Sequence, residues 1–270
     1  MKNIKNKIKT AYQNDKKTFW VFIILRTLIL ICLARELMLG HMENVFLCIL
    51  SLVLFLVPSI IENKFKIDFP DTLEIIIYVF IFSAEILGEI NNFYGHIPYW
   101  DTVLHTVNGF LCASIGFSLI YLLNNKVSTF KMSPIFVALV SFCFSMTVGV
   151  AWEVFEYATD NILQKDMQKD TYVESIRTVE TEPEFDNNVM KYDNIEYTIL
   201  YDKEGNEILK LDNYLDIGLH DTMEDLIVNF IGAFVFSILG YLGIKDDKKY
   251  KLANKLMTKK RKWVLLVFYL

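Results

Sequence analysis

The chain has 270 residues, of which 53% are hydrophobic and 14% are aromatic, and its formal net charge is -5. Its mean hydropathy of +0.32 means more apolar side chain than one globular core can cover, which excludes an ordinary soluble enzyme. The acidic charge is concentrated, because residues 158–218 carry 6 basic and 15 acidic side chains. The remainder has no Lys- or Arg-rich surface with interleaved aromatic residues, so we do not expect nucleic acid as a partner.

Six apolar segments, each close to the roughly 20 residues that cross a bilayer, predict six membrane-spanning helices. The first segment contains Arg26 and Arg35 and is too long for the apolar part of a signal peptide, so we interpret it as an uncleaved span. The backbone must satisfy its own hydrogen bonds in lipid, which favours helix even for the short second segment with Pro58. The segments are Phe19–Leu39, Val45–Ile61, Thr72–Ile90, Trp100–Leu123, Pro134–Tyr157 and Asp221–Ile244. The predicted fold class is therefore an all-α polytopic membrane helix bundle.

The distribution of lysine and arginine predicts that both termini lie in the cytoplasm. The N-terminus, the loops at residues 62–70 and 124–133, and the tail after Ile244 all carry lysine. The alternate connections at residues 41–44 and 91–99 carry neither lysine nor arginine. We therefore expect a multi-pass membrane protein in contact with membrane lipids. The sequence leaves its oligomeric state open.

Local signals predict where several helices begin. Ser133 precedes Pro134, which puts a capping hydroxyl just before a proline in the first turn. The sequences that begin at Asp71 and at Asp221 each have a glutamate three residues later, which is an aspartate form of the capping box. We therefore expect both aspartates to cap their helices.

The segment between the fifth and sixth spans has the composition of a water-soluble insert. Residues 197–201 and 208–211 flank a polar loop with Gly205, a pattern typical of a β-hairpin with a longer turn. The apolar run at residues 263–270 is too short to span and is expected in the cytoplasmic interface. The predicted domains are a membrane bundle at residues 1–157, an acidic β-containing extracytoplasmic insert at 158–219, and the last span with a basic tail at 220–270.

Ionisable residues gather at the predicted outer ends of spans four, five and six. In each span they are three or four residues apart, so they share one face of a helix. A charged side chain near the bilayer centre costs about 2.5 to 3.5 kcal/mol, so such residues are functional candidates that need a cation, a proton or an arginine nearby. The pairs are Asp101 with His105, Glu153 with Glu156, and Asp221 with Asp225.

These same residues resemble a known family. Trp100-Asp-Thr-Val-Leu-His105, Trp152-Glu-Val-Phe-Glu156 and Asp221-Thr-Met-Glu-Asp225 are similar to motifs of the bacterial YjdF-type family of inner-membrane proteins, and the last is also similar to VanZ-like membrane proteins. The resemblance covers spans three to six and omits the acidic insert, which is longer here. It implies a polytopic protein of the bacterial cytoplasmic (inner) membrane and marks the same polar positions, and it implies no reaction.

The leading functional hypothesis is an outward-facing site that binds a divalent cation or shares protons. Oxygen ligands with one imidazole suit Mg, Mn, Ca or Zn, and the depth of the site suits an envelope lipid or a lipid-linked substrate in a metal-dependent enzyme. Two alternatives stay open: a transporter or ion-coupled binding protein that uses the same acids, and a structural or assembly protein whose polar residues pack helices. The predicted metal ligands are His105, Glu153, Glu156, Asp221 and Asp225, and the predicted catalytic residues are His105, Asp101, Glu153 and Asp225.

Overall fold

The computed structural model of the protein describes residues 16–65, 67–126, 132–183, 186–246, 256 and 259–260. Most of the predicted basic N-terminus, part of the loop at 124–133, and the apolar run at 263–270 lie outside the described residues. The chain divides into two compact units, one formed by Met1–Gly149 with Ile227–Leu270 and the other by Val150–Leu226. Each unit is described by itself below.

Helices dominate the described residues, as the sequence predicts. The helices are α1 (Lys16–Leu39), α2 (Met42–Leu54), α3 (Val57–Phe65), α4 (Asp71–Ile81), α5 (Phe93–His96), α6 (Trp100–Lys126), α7 (Pro134–Leu163) and α8 (Leu219–Lys245), with a π-helical segment at Phe82–Ile90. The strands are β1 (Ile67–Asp68), β2 (Thr171–Val173), β3 (Ile176–Thr178), β4 (Met190–Tyr192), β5 (Tyr197–Tyr201), β6 (Glu207–Asp212), β7 (Tyr214–Asp216) and β8 (Lys259–Lys260).

Four helical stretches within the described ranges are long and apolar enough to cross a membrane. They are Met42–Lys64, which joins α2 to α3, and Trp100–Tyr121, Pro134–Leu163 and Leu219–Lys245. These stretches correspond to the predicted second, fourth, fifth and sixth spans. The predicted first span is also helical, and the predicted third span is helical in two shorter segments. Six spans therefore stay a prediction, with four candidates identified by length and composition.

The third predicted span departs from a continuous α-helix. Its first half is α4, and its second half is the π-helical segment, a rare wider helix that occurs mostly as single-turn bulges. The segment ends where the side-chain amide of Asn91 donates a hydrogen bond to the carbonyl of Ile86, at 2.5 Å. Asn92 then takes a left-handed conformation with φ +54°. The apolar pattern of this span did not distinguish the two kinds of helix.

An aromatic cluster holds the first part of the larger unit together. The ring of Phe22 on α1 lies 6.0 Å from that of Phe55 and 5.2 Å from that of Tyr78 on α4, and the last two rings are 5.1 Å apart. Ring pairs at such separations add stabilisation beyond the burial of their area. Helix α1 thus packs on both the stretch 42–64 and α4.

A buried carboxylate stabilises the short link between α1 and α2. Glu36 accepts hydrogen bonds from Arg35 Nε at 2.6 Å, from Asn44 Nδ2 at 2.9 Å and, at 2.9 Å, from His41 Nδ1. Glu36 is only 1% exposed, so these bonds offset the cost of burying its charge. Gly40, with φ +79°, supplies the left-handed turn that ends α1.

Glycines let α6 and the C-terminal part of α8 approach each other closely. A Cβ atom at Gly109 would overlap the backbone carbonyl of Asn229, and one at Gly232 would overlap the carbonyl of Thr106. The hydroxyl of Ser145 on α7 donates a hydrogen bond to the carbonyl of Gly109, at 2.7 Å. Small residues and hydroxyl bonds of this kind are the usual means by which helices pack in a membrane.

The predicted β-hairpin of the insert is confirmed. Strands β5 and β6 pair antiparallel, and the Asp202 carboxylate accepts hydrogen bonds from the backbone and side-chain amides of Asn206. Gly205 has φ +86°, as the turn requires. The other described strands of the insert form two further antiparallel pairs, β2 with β7 and β3 with β4.

The predicted helix starts at Asp71 and Pro134 are confirmed, and α8 begins at Leu219, two residues before Asp221. Ser133 Oγ accepts a hydrogen bond from the backbone amide of Phe136, at 3.4 Å, as an N-cap does. The capping box expected at Asp71 is wrong, because Asp71 is the first residue of α4 and Pro70 holds the N-cap position. The one expected at Asp221 is also wrong, since the carboxylate of Asp216 accepts the bond from the His220 amide.

Candidate functional site

Three buried carboxylates lie together in the smaller unit. Glu153 and Glu156 are one turn apart on α7, and Asp225 lies in the second turn of α8. One carboxylate oxygen of each lies within 4.8 Å of the others. The side chains are all buried, with exposed fractions of 5%, 7% and 4%. We call this set the carboxylate cluster.

The close approach of three buried carboxylates is electrostatically unfavourable when all three are ionised. Two unit negative charges less than 5 Å apart repel by about 3 kcal/mol at the effective dielectric constant of a protein, and the cluster contains three such pairs. Burial adds the loss of water as a solvent for each charge. A bound cation or protons would therefore relieve the three carboxylates when they share this space. Carboxylate oxygens are the ligands that Mg²⁺, Mn²⁺ and Ca²⁺ prefer.

An indole group orients one member of the carboxylate cluster. Trp152 Nε1 donates a hydrogen bond to Glu156 Oε1, at 2.7 Å. The donor fixes the rotation of the carboxylate and the direction in which its other oxygen points. Trp152 precedes Glu156 by four residues on a helix, a spacing from which this hydrogen bond could have been predicted.

Asp101 and His105 form a pair in the larger unit. His105 Nε2 lies 3.5 Å from Asp101 Oδ1, and the two residues are one turn apart on α6, as the spacing predicts. The histidine is buried. The carboxylate cluster belongs to the other unit, so a shared site for His105 and the acids stays a prediction.

The aspartate Asp221, a predicted metal ligand, supports a loop. Its Oδ2 accepts a hydrogen bond from the backbone amide of Lys169, at 2.7 Å. Asp160, one turn beyond Glu156, has the same kind of role, because its two oxygens accept bonds from the amides of Met167 and Gln168. A metal role for Asp221 therefore stays a prediction, while its loop contact is observed.

Comparison with known proteins identifies the family. The family described as "Predicted membrane protein (DUF2238)" matches residues 18–246. The chain belongs to this family. The match includes every described helix from α2 to α8 and the acidic insert. Members of the DUF2238 family are predicted membrane proteins, which agrees with the four apolar helices long enough to span.

One relative is itself uncharacterised, so it indicates no activity for this chain. The chain is 26% identical over 106 residues to an uncharacterized protein of Thermotoga maritima. The matched region covers 39% of this chain and 53% of the relative. The chain thus spans about half the length of this curated relative. No solved structure gives a significant match. The comparisons confirm an uncharacterised membrane family, while the finer YjdF-type and VanZ-like resemblance stays a resemblance.

Proposed function

We propose that this DUF2238 protein binds a divalent cation at the carboxylate cluster and uses it in chemistry on an envelope lipid or lipid-linked substrate. The observation that carries the proposal is the close approach of three buried carboxylates, Glu153, Glu156 and Asp225. A hard divalent cation would neutralise most of their combined charge and binds through oxygen ligands of this kind. A bound metal would supply a Lewis acid and lower the pKa of water for hydrolytic or transfer chemistry.

The proposal includes a bundle of six spans with both termini in the cytoplasm. Support comes from the packing of α1 and α4 against the candidate spanning stretch 42–64 through their aromatic rings. A helix packed along a spanning helix lies in the same apolar layer, and its charged residues then pair within the protein, as Arg35 does with Glu36. The lysines of the predicted cytoplasmic loops support the orientation.

Metal analysis of the detergent-purified protein tests the binding site. We expect wild type to bind about one Mn²⁺ per chain in an equilibrium titration followed by electron paramagnetic resonance. Glu153→Gln and Asp225→Asn should weaken binding roughly tenfold or more, because the affinity of oxygen sites follows ligand charge. Asp193→Asn makes the same chemical change at an exposed residue of the insert that pairs with Lys191, and it should bind as wild type does.

Two outcomes would contradict the metal site: no Mn²⁺ bound by wild type, or equal affinity in Glu153→Gln and wild type. The His105→Ala variant tests separately the sequence prediction that the imidazole is a ligand. Fusions of a reporter to the hairpin and to the C-terminus test the orientation, and a cytoplasmic hairpin would overturn it.

The lipid chemistry needs an assay of its own. Envelope lipids in mixed micelles are incubated with the protein and Mn²⁺, and the products are compared by mass spectrometry. We expect a product that depends on both Mn²⁺ and Glu153. If lipids are unchanged while liposomes with the protein accumulate the cation, the function is transport.

A further inference from the structure

The loop that follows α7 is hydrogen-bonded to the end of α7 and to the beginning of α8 in the smaller unit. We call residues 164–170 the strap. The carboxylate of Asp160 accepts hydrogen bonds from the amides of Met167 at 2.6 Å and Gln168 at 2.8 Å. The carboxylate of Asp221 accepts one from the amide of Lys169, at 2.7 Å. The strap is thus held by one acid from α7 and one from α8.

Side chains add to this attachment. Gln168 Nε2 donates a hydrogen bond to Thr222 Oγ1 on α8, at 2.5 Å. Gly218, just before α8, has φ +100°, and a Cβ atom there would lie 2.7 Å from Gln168 Cβ. Gly218 therefore both makes the turn into α8 and leaves room for the glutamine against the backbone. Charge-assisted bonds to backbone amides are among the stronger ones, so the strap is well fixed.

The attachment points lie one helical turn from the carboxylate cluster. Asp160 follows Glu156 by four residues on α7, and Asp221 precedes Asp225 by four residues on α8. Four residues of α-helix rise about 6 Å, and residues four apart share a face. The strap therefore joins the same two helix faces that carry the acids, at the level next to the cluster on the side of the insert.

We infer that the strap closes the insert side of the carboxylate cluster, so that a cation or a lipid headgroup reaches the acids from that side only when the strap detaches. The inference rests on the proposed function for its ligand. Asp160 and Asp221 act as attachment residues of this closure, because their carboxylates accept hydrogen bonds from the backbone amides of the strap.

The kinetics of Mn²⁺ exchange distinguish a closure from a ligand. Opening the strap speeds entry and exit alike, because the bound cation keeps its ligands. We expect Asp160→Asn and Gln168→Ala to raise the association and dissociation rates of Mn²⁺ about tenfold each, in stopped-flow mixing with a chelator, and to leave Kd within about twofold. Gln168→Ala keeps every backbone bond of the strap, so it reports even where Asp160→Asn fails to fold. Asp193→Asn is the matched control and should exchange at the wild-type rate.

Two kinetic results would overturn the inference. Unchanged exchange rates in both strap variants would mean that the strap does not limit access. A weaker Kd with an unchanged association rate in Asp160→Asn would make Asp160 a metal ligand instead of an attachment residue.

A second measurement tests the strap without any metal. A water-soluble carbodiimide with an added amine converts an accessible carboxyl to an amide, which mass spectrometry locates in a peptide. We expect labelling of Glu156 to be slow in wild type and about tenfold faster in Gln168→Ala. Equal labelling rates would refute the closure even if wild type bound no Mn²⁺, whereas faster labelling without Mn²⁺ binding would refute only the proposed metal site.

Discussion

Replacing Gly109 by alanine should separate two helices of the larger unit. A Cβ atom at this position overlaps the backbone carbonyl of Asn229 on α8. A backbone carbonyl inside a helix cannot rotate away, so α6 and α8 have to move apart by an ångström or more. Gly116 lies two turns further along α6, where the new methyl group would come 2.8 to 2.9 Å from side-chain atoms of Phe144, a smaller overlap than the one with the backbone at Gly109. Gly116→Ala is therefore the matched control.

The two substitutions should differ clearly in stability. Overpacking typically costs 1 to 3 kcal/mol, and the rigid contact at Gly109 favours a cost of about 3 kcal/mol. Alanine gains about 1 kcal/mol over glycine in a helix, which offsets part of it. The net loss for Gly109→Ala is about 2 kcal/mol, or roughly a 30-fold change in the unfolding equilibrium. Gly116→Ala should cost less than Gly109→Ala, because its overlap is smaller and turning of the Phe144 ring relieves part of it.

Equilibrium unfolding of the detergent-solubilised protein, titrated with a denaturing detergent and followed by circular dichroism, measures this difference. The Gly109→Ala midpoint should fall well below wild type, and the Gly116→Ala midpoint should fall less. If both variants unfold at the same midpoint, the close approach of α6 and α8 at this glycine does not exist as described.

Three further changes test other parts of the molecule. Trp152→Phe removes the donor to Glu156 and should weaken Mn²⁺ binding about tenfold without changing the unfolding midpoint; unchanged affinity would show that the indole does not orient the ligand. Glu36→Ala removes the acceptor shared by Arg35, His41 and Asn44 and should destabilise the protein by about 2 kcal/mol in the same titration, and a neutral result would refute the network. Hydrogen bonds from Asn206 lower the pKa of Asp202 from 3.8. The ionised carboxylate therefore stabilises the hairpin above pH 3.8, and this stabilisation is lost as the pH falls through the lowered pKa. Hydrogen exchange of the β5 amides, corrected for intrinsic rates, should rise in that pH range, and constant protection would contradict the prediction.

Features that depend on neighbouring residues were the ones that the sequence predicted well. The hairpin was predictable because Gly205 and the alternating residues on either side act within one short segment. The pairs on α6 and α7 were predictable from their spacing along a helix, as the contact of Asp101 with His105 confirms. Local chemistry thus supplied both the elements and the candidate residues.

Features that depend on distant contacts were missed or misassigned. Asp221 lies in a sequence typical of a helix cap, but the carboxylate of Asp216 accepts the hydrogen bond from the His220 amide at the start of α8. Gly218, which has a positive φ, turns the chain between Asp216 and the helix. Asp160 lies near the end of α7, and its partners seven and eight residues later follow from the path of the strap. Periodicity cannot report these contacts, since they depend on where a loop returns.

The link between α1 and α2 has a consequence for the synthesis of this protein. Arginine and glutamate that enter a bilayer separately each carry a large transfer cost, whereas Arg35 and Glu36 meet as an ion pair at the end of α1. His41 and Asn44 complete the coordination of the carboxylate from the beginning of the next helix. If α1 crosses the membrane as proposed, we therefore expect the translocon to release the first two helices together, as a preformed helical hairpin, and not one at a time.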